Sequence, residues 1–131
     1  MSLQIGMQER KPCFFQLSLA GRLDTETSTQ LEQRVAMLME TPVKALVFDM
    51  AMLEYISSMG LRVVLKTMKD VKAKQGVFMV TNMRPEIQKV FDIAQLLPDG
   101  SYFTSVDEAD RYFAGIQEKI KNGEIAAESG S

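Results

Sequence analysis

Ala45-Leu46-Val47-Phe48-Asp49-Met50 and, five residues on from Met50, Tyr55-Ile56-Ser57-Ser58-Met59-Gly60-Leu61-Arg62-Val63-Val64-Leu65 are the stretch that decides the fold. Ala45 to Phe48 is apolar without interruption and too short for an ordinary helix. It reads as a strand buried on both faces, the kind a parallel sheet contains. A loop is expected over Met50 to Ile56. Then the period changes: Leu61, Val64, Leu65, Met68 and Val71 recur at helical spacing, and Ser57-Ser58 stand where an N-cap belongs. Gly76 is placed to terminate this helix. A buried strand leading through one loop into an amphipathic helix is the opening of a β-α-β unit.

The pattern continues downstream. Val77 to Val80 is a second buried strand, and Arg84-Pro85-Glu86 opens a helix whose stripe is Ile87, Val90, Phe91, Ala94 and Leu97. Pro98-Asp99-Gly100 breaks it, and Tyr102-Phe103-Thr104 predicts a short last strand. Ser105 or Asp107 can cap a final helix bearing Ala109, Tyr112, Phe113, Ile116 and Ile120. Upstream, Leu3, Ile5 and Met7 alternate with polar residues, as do Phe15, Leu17 and Leu19, so the first twenty residues predict a hairpin connected through Gln8 to Pro12. Asp24 and Thr25 are N-cap candidates for a helix from about Thr25 to Glu40, with Leu31, Val35, Leu38 and Met39 inward. Thr41-Pro42 ends it. The expected architecture is a single α/β domain over residues 1–121: a mixed, mainly parallel sheet of about five strands packed with about four helices. Residues 122–131 are small and polar and are expected to form a disordered tail.

Composition narrows the chemistry. The 131 residues are 46% hydrophobic and 24% charged, enough for one core. The net charge is −2 and the pI about 5.2, which leaves no basic footprint for nucleic acid. There is no histidine and one cysteine, Cys13. That excludes Ser-His-Asp and Cys-His nucleophile pairs and the usual zinc and iron ligand sets. An all-oxygen magnesium or calcium site stays open in principle, but none is singled out, and no cofactor is expected. No apolar run reaches the roughly 20 residues that span a bilayer, and Met1-Ser2-Leu3-Gln4 lacks the basic start of a signal peptide. The expectation is a cytoplasmic protein without membrane insertion. Most of the ten methionines fall at core positions of the predicted helices and strands, and Cys13 reads as a small strand residue.

In an open sheet of this kind, partners meet the carboxyl ends of the strands. Ser57-Ser58-Met59-Gly60 lies there, with two hydroxyls at a helix N-terminus, where unpaired N–H groups and the helix dipole favour an anion. Either serine can be the cap and the other the outward hydroxyl; periodicity does not choose. Asp24 and Thr25 share this edge of the sheet. Asp49 ends a strand, and with Thr81 it mimics a receiver domain phosphorylated on Asp49. A receiver, however, needs an acidic pair after its first strand and a lysine after its fifth, and neither Leu3–Gly6 nor Tyr102–Ser105 supplies them. A receiver phosphorylated on Asp49 is therefore the minor alternative.

Leu23-Asp24-Thr25, Ala45 to Met50 and Tyr55 to Leu65 together resemble the STAS domain of anti-sigma-factor antagonists, and the likeness runs from about Leu3 to Lys121. The resemblance implies a non-catalytic switch. Such a protein binds an anti-sigma factor that is also a serine kinase, is phosphorylated by it at the start of the second helix, and is reset by a serine phosphatase; the ATP and Mg²⁺ belong to the kinase. Matching the family pattern Asp-Ser-Ser-Gly-Leu backward from Gly60-Leu61 puts the phosphate on Ser58, with Ser57 as the fallback. The family's aspartate is Ser57 in this chain. The implied partner surface comprises Asp24, Thr25, Ser57, Ser58, Met59, Gly60 and Leu61, with Met52 beside it. The same resemblance admits a STAS subunit of a lipid-transport ATPase complex, or another STAS interaction module outside any sigma circuit.

Overall fold

Alternation of apolar and polar residues over the first two dozen positions produces a long antiparallel hairpin, β1 (Leu3–Lys11) and β2 (Phe14–Leu23). In the computed structural model, which describes residues 2–96 and 106–124, Pro12 and Cys13 alone connect the strands, with Cys13 in the left-handed region at φ 69°. The Glu9 carboxylate steadies this turn by accepting from the Cys13 N–H at 3.0 Å. The connection predicted over Gln8–Pro12 is mostly strand, because polar residues are tolerated on an edge strand.

Helix α1 (Thr25–Leu38) follows, then β3 (Ala45–Ile56), α2 (Ser58–Ala73), β4 (Val77–Thr81), α3 (Pro85–Leu96) and α4 (Val106–Lys121). The sheet order is β1-β2-β3-β4; β1 pairs antiparallel with β2, whereas β2–β3 and β3–β4 are parallel. The mixed, mainly parallel α/β architecture is the expected one, with four strands among the described residues instead of about five. The strand predicted over Tyr102–Thr104 lies outside the described residues, as do the caps Ser105 and, for its side chain, Asp107, and the tail beyond Glu124.

One face of the sheet is buried. Leu17, Leu19, Leu46, Phe48 and Met50 point to it and meet Leu31 and Val35 of α1, Val64 and Val71 of α2, and Ile87 and Val90 of α3 in a single core. Phe48 and Phe78 pack edge to face with centroids 5.1 Å apart. The opposite face is open: Phe14, Val77 and Met79 are exposed, with Ala45 and Val47 half-buried between them in register. Strands expected to be buried on both faces are thus buried on one. The methionine expectation also fails. Only Met50 is buried among the described residues, and Met7, Met37, Met52 and Met79 are exposed.

Two boundaries matter for the site. First, the segment expected as a loop over Met50–Ile56 is strand. The β2–β3 register slips between Ser18 and Ala20 and again between Gly21 and Arg22, so the alternation that marks a strand is broken while pairing continues to Leu23↔Ile56. Asp49 serves this irregular stretch, accepting from the Ala51 N–H at 3.0 Å and from Asn82 Nδ2 at 3.1 Å. Second, α2 ends in a Schellman turn. Gln75 takes the positive φ of 63°, and the Gly76 N–H returns to the Val71 carbonyl at 2.9 Å. Gly76 closes this turn as expected, and the space around it is tight: a Cβ there would sit 3.0 Å from Val71 Cγ1 and 3.1 Å from the Val43 carbonyl oxygen.

Candidate functional site

The ends of β2 and β3 converge on the start of α2. The Ser57 N–H donates to the Leu23 carbonyl at 2.9 Å, tying the N-cap of α2 to the last residue of β2. Ser57 has extended backbone (φ −93°, ψ 174°), and its Oγ accepts from the Gly60 N–H at 3.1 Å. It is 2% exposed. A Cβ on Gly60 would lie 2.7 Å from the Leu23 carbonyl oxygen, so only glycine lets α2 come this close to β2. Of the two hydroxyls, Ser57 is therefore the cap and is enclosed.

Ser58, the first residue of α2, is half-buried, and its hydroxyl turns toward α4. Its Oγ donates to Asp110 Oδ1 at 2.6 Å, and its N–H donates to the same oxygen at 2.8 Å. A carboxylate taking an N-terminal helix amide is electrostatically favoured, and 2.6 Å is typical of an O–H···O⁻ bond. Seven residues further along α4, Gln117 is 2% exposed and clasps the end of β3. Its Oε1 accepts from the Ile56 N–H at 3.0 Å, and its Nε2 donates to the Ile56 carbonyl at 2.7 Å. Phe113 is buried between these two polar anchors in sequence.

A second cluster lies at the same end. Asp24 caps α1, accepting from the Thr27 N–H at 3.0 Å, while the Asp24 N–H donates to Thr27 Oγ1 at 2.8 Å. Partial burial pushes the Asp24 carboxyl up, but the Thr27 hydrogen bonds and the Arg22 guanidinium outweigh it and hold the group below the usual carboxylate range. The Arg22 guanidinium lies 4.1 Å from the centre of the Tyr55 ring and 4.0 Å from Asp24 Oδ2. Burial raises the Tyr55 phenol, with the charges of Asp110 and Asp24 adding to the rise and Arg22 opposing it. Arg22, Asp24, Tyr55, Ser58 and Asp110 thus form one polar neighbourhood.

The structure brings Asp24, Thr25, Ser58 and Met59 to this edge with exposed or half-exposed side chains. Ser57, Gly60 and Leu61 are buried, Leu61 at 5% exposure, and build the platform beneath this edge. Sequence reasoning missed Tyr55, Asp110 and Gln117. Asp110 and Gln117 flank Phe113 at positions i and i+7, on one side of a helix, and that spacing was their only signal. Among the described residues, no group of three or more acidic or cysteine side chains is placed to hold a metal ion, and no helix is long and apolar enough to cross a membrane.

Comparison with known proteins agrees with this fold. The model of the STAS domain matches residues 4–109. A protein of Bordetella bronchiseptica named as an anti-sigma factor antagonist, BtrV, is 34% identical over 79 residues, which are 60% of this chain and 68% of that protein. The solved structure of the anti-sigma factor antagonist SpoIIAA in its unphosphorylated form superposes with a TM-score of 0.65 at 21% identity, covering 71% of this chain and 82% of that one. The phosphorylated form of the Bacillus protein gives 0.62 at 21% identity, over 71% and 85% of the two chains. An anti-sigma factor antagonist from Mycobacterium paratuberculosis gives 0.62 at 19% identity, over 86% and 94%. At these identities the structures speak to the fold.

Proposed function

This chain belongs to the STAS domain family, and from that premise we propose that it is an anti-sigma-factor antagonist, a non-catalytic binding switch controlled by phosphorylation of Ser58. The observation that carries the reading is the division of labour between the two serines: Ser57 is sealed in as the cap, and Ser58 is the half-exposed hydroxyl at the mouth of α2. The 34% identity to a protein named as an anti-sigma factor antagonist supports the partner class.

In the unmodified state, the edge formed by Asp24, Thr25, Ser58 and Met59 docks on the anti-sigma factor. The partner, acting as kinase, supplies ATP and Mg²⁺. The Ser58 oxygen attacks the γ-phosphorus; the new O–P bond forms as the bond to the ADP oxygen breaks, and the hydroxyl proton passes to a base. The product carries about −1.5 to −2 charge at the centre of the docking edge. Enclosing that charge without a counter-ion costs several kcal/mol, so the complex opens. A serine phosphatase hydrolyses the ester and restores the first state. Because the ester sits at the positive end of α2, the helix itself tolerates it.

The test is affinity capture from the native lysate with Ser58→Ala and Ser58→Asp as baits. Ser58→Ala is expected to retain an anti-sigma factor constitutively, and Ser58→Asp to lose it by about tenfold or more, given the cost of an unpaired buried charge. Equal recovery by both variants would remove the switch, and recovery of a transport ATPase by both would move the chain to the lipid-transport branch of the family.

A further inference from the structure

Among the polar contacts that hold helix α4 against the β3–α2 junction, which include Lys121 Nζ to the Glu54 carbonyl at 3.4 Å, two differ in kind. Gln117 binds the backbone N–H and C=O of Ile56, and nothing that happens to a side chain on α2 alters that bond. Asp110 binds Ser58, and one of its two bonds uses the hydroxyl proton of Ser58 itself. A phosphate ester has no such proton. Its oxygens are acceptors only, and they seek the same N-terminal amide of α2 that Asp110 Oδ1 already occupies at 2.8 Å. Two anions would then crowd the same helix terminus. Around them, Tyr55 is neutral, Asp24 adds negative charge, and Arg22 is the cation that the same neighbourhood provides.

We propose that Asp110 is a positioning residue that makes docking of the N-terminal half of α4 conditional on an unmodified Ser58: the phosphate expels the Asp110 carboxylate from the mouth of α2 and loosens α4 from about Ala109 to Phe113, while Gln117 keeps the rest anchored. This rests on Ser58 as the phosphate acceptor. It goes beyond that reading because it adds a second consequence of the modification. A partner would meet both a new charge and a displaced helix beside it.

The experiment installs phosphoserine at position 58 of the full chain during translation, so that no kinase is needed, and follows amide hydrogen exchange by mass spectrometry. Phosphorylation is expected to speed exchange over residues 108–116 by about tenfold or more, the mark of a local opening, while α2 and residues 117–121 stay as protected as before. Asp110→Asn in the phosphorylated chain is expected to bring protection of 108–116 back to within about threefold of the unmodified protein, because the amide carries no charge and can donate to the phosphate. Identical exchange of α4 with and without the phosphate would overturn the proposal. So would an Asp110→Asn chain that opens as much as the phosphorylated parent, since the carboxylate would then not be the lever. The outcomes separate from those of the switch itself. Phosphoprotein that loses its partner with α4 still closed refutes only the coupling, and α4 that opens in a protein whose kinase ignores Ser58 refutes only the assignment of the acceptor.

Discussion

Ser57 and Ser58 are chemically identical neighbours, and one step along the chain separates a sealed cap from a half-exposed hydroxyl. The sequence placed both at the N-terminus of α2 but left their roles open, because a cap is recognised by residue type, whereas exposure depends on what packs alongside. Here that is Leu23 from β2 and Asp110 from α4, both remote in sequence. Asp24 is the counterexample: its role at the start of α1 follows from local sequence, and the Asp24–Thr27 box is as local as a contact can be. Asp24→Ala is expected to lower stability by about 1 kcal/mol at neutral pH, read as a drop of about 3–5 °C in Tm. The folded carboxyl lies below its ordinary value of 3.8, so the charge contribution is complete above that value and is lost as pH falls through the folded pKa. Thermal melts from pH 7 to pH 3 are therefore expected to show the gap between parent and variant narrowing only below about pH 4.

At the scale of elements, the junction of β3, α2 and α4 determines what the site can do. Apolar periodicity placed α4 correctly, and of its predicted stripe Ala109 and Phe113 are buried, Ile116 and Ile120 half-buried and Tyr112 exposed, but apolar residues alone do not point to the polar ones on the same face. Asp110 and Gln117 were lost that way. The extension of β3 to Ile56 was lost for another reason: two register slips destroy the period-2 signal while the hydrogen-bonded pairing with β2 continues. Gln117→Ala leaves the N–H and C=O of Ile56 without their side-chain partner in a buried setting. A loss of about 2–4 kcal/mol is expected from urea unfolding, as a lower midpoint at unchanged slope. A loss below about 0.5 kcal/mol would mean that water or another group replaces the clasp without cost.

Across the whole molecule, the α/β order, the helices and the parallel pairing were legible because a buried strand and an amphipathic helix leave different periods in sequence. The openness of one sheet face was not. Val77-Phe78-Met79-Val80 is apolar on both sides of the pleat, and only the tertiary arrangement leaves Val77 and Met79 exposed. The proposed function depends less on this scaffold than on one oxygen atom at its edge, which would take on a charge while α2 stays capped by its neighbour. The most direct measurement is phosphosite mass spectrometry on the chain purified from its native host, read on the tryptic peptide spanning residues 45–62, which contains Tyr55, Ser57 and Ser58. A single phosphate on Ser58 is the expected result. A phosphate on Ser57, or on a residue away from the mouth of α2 with Ser58 unmodified, would contradict it.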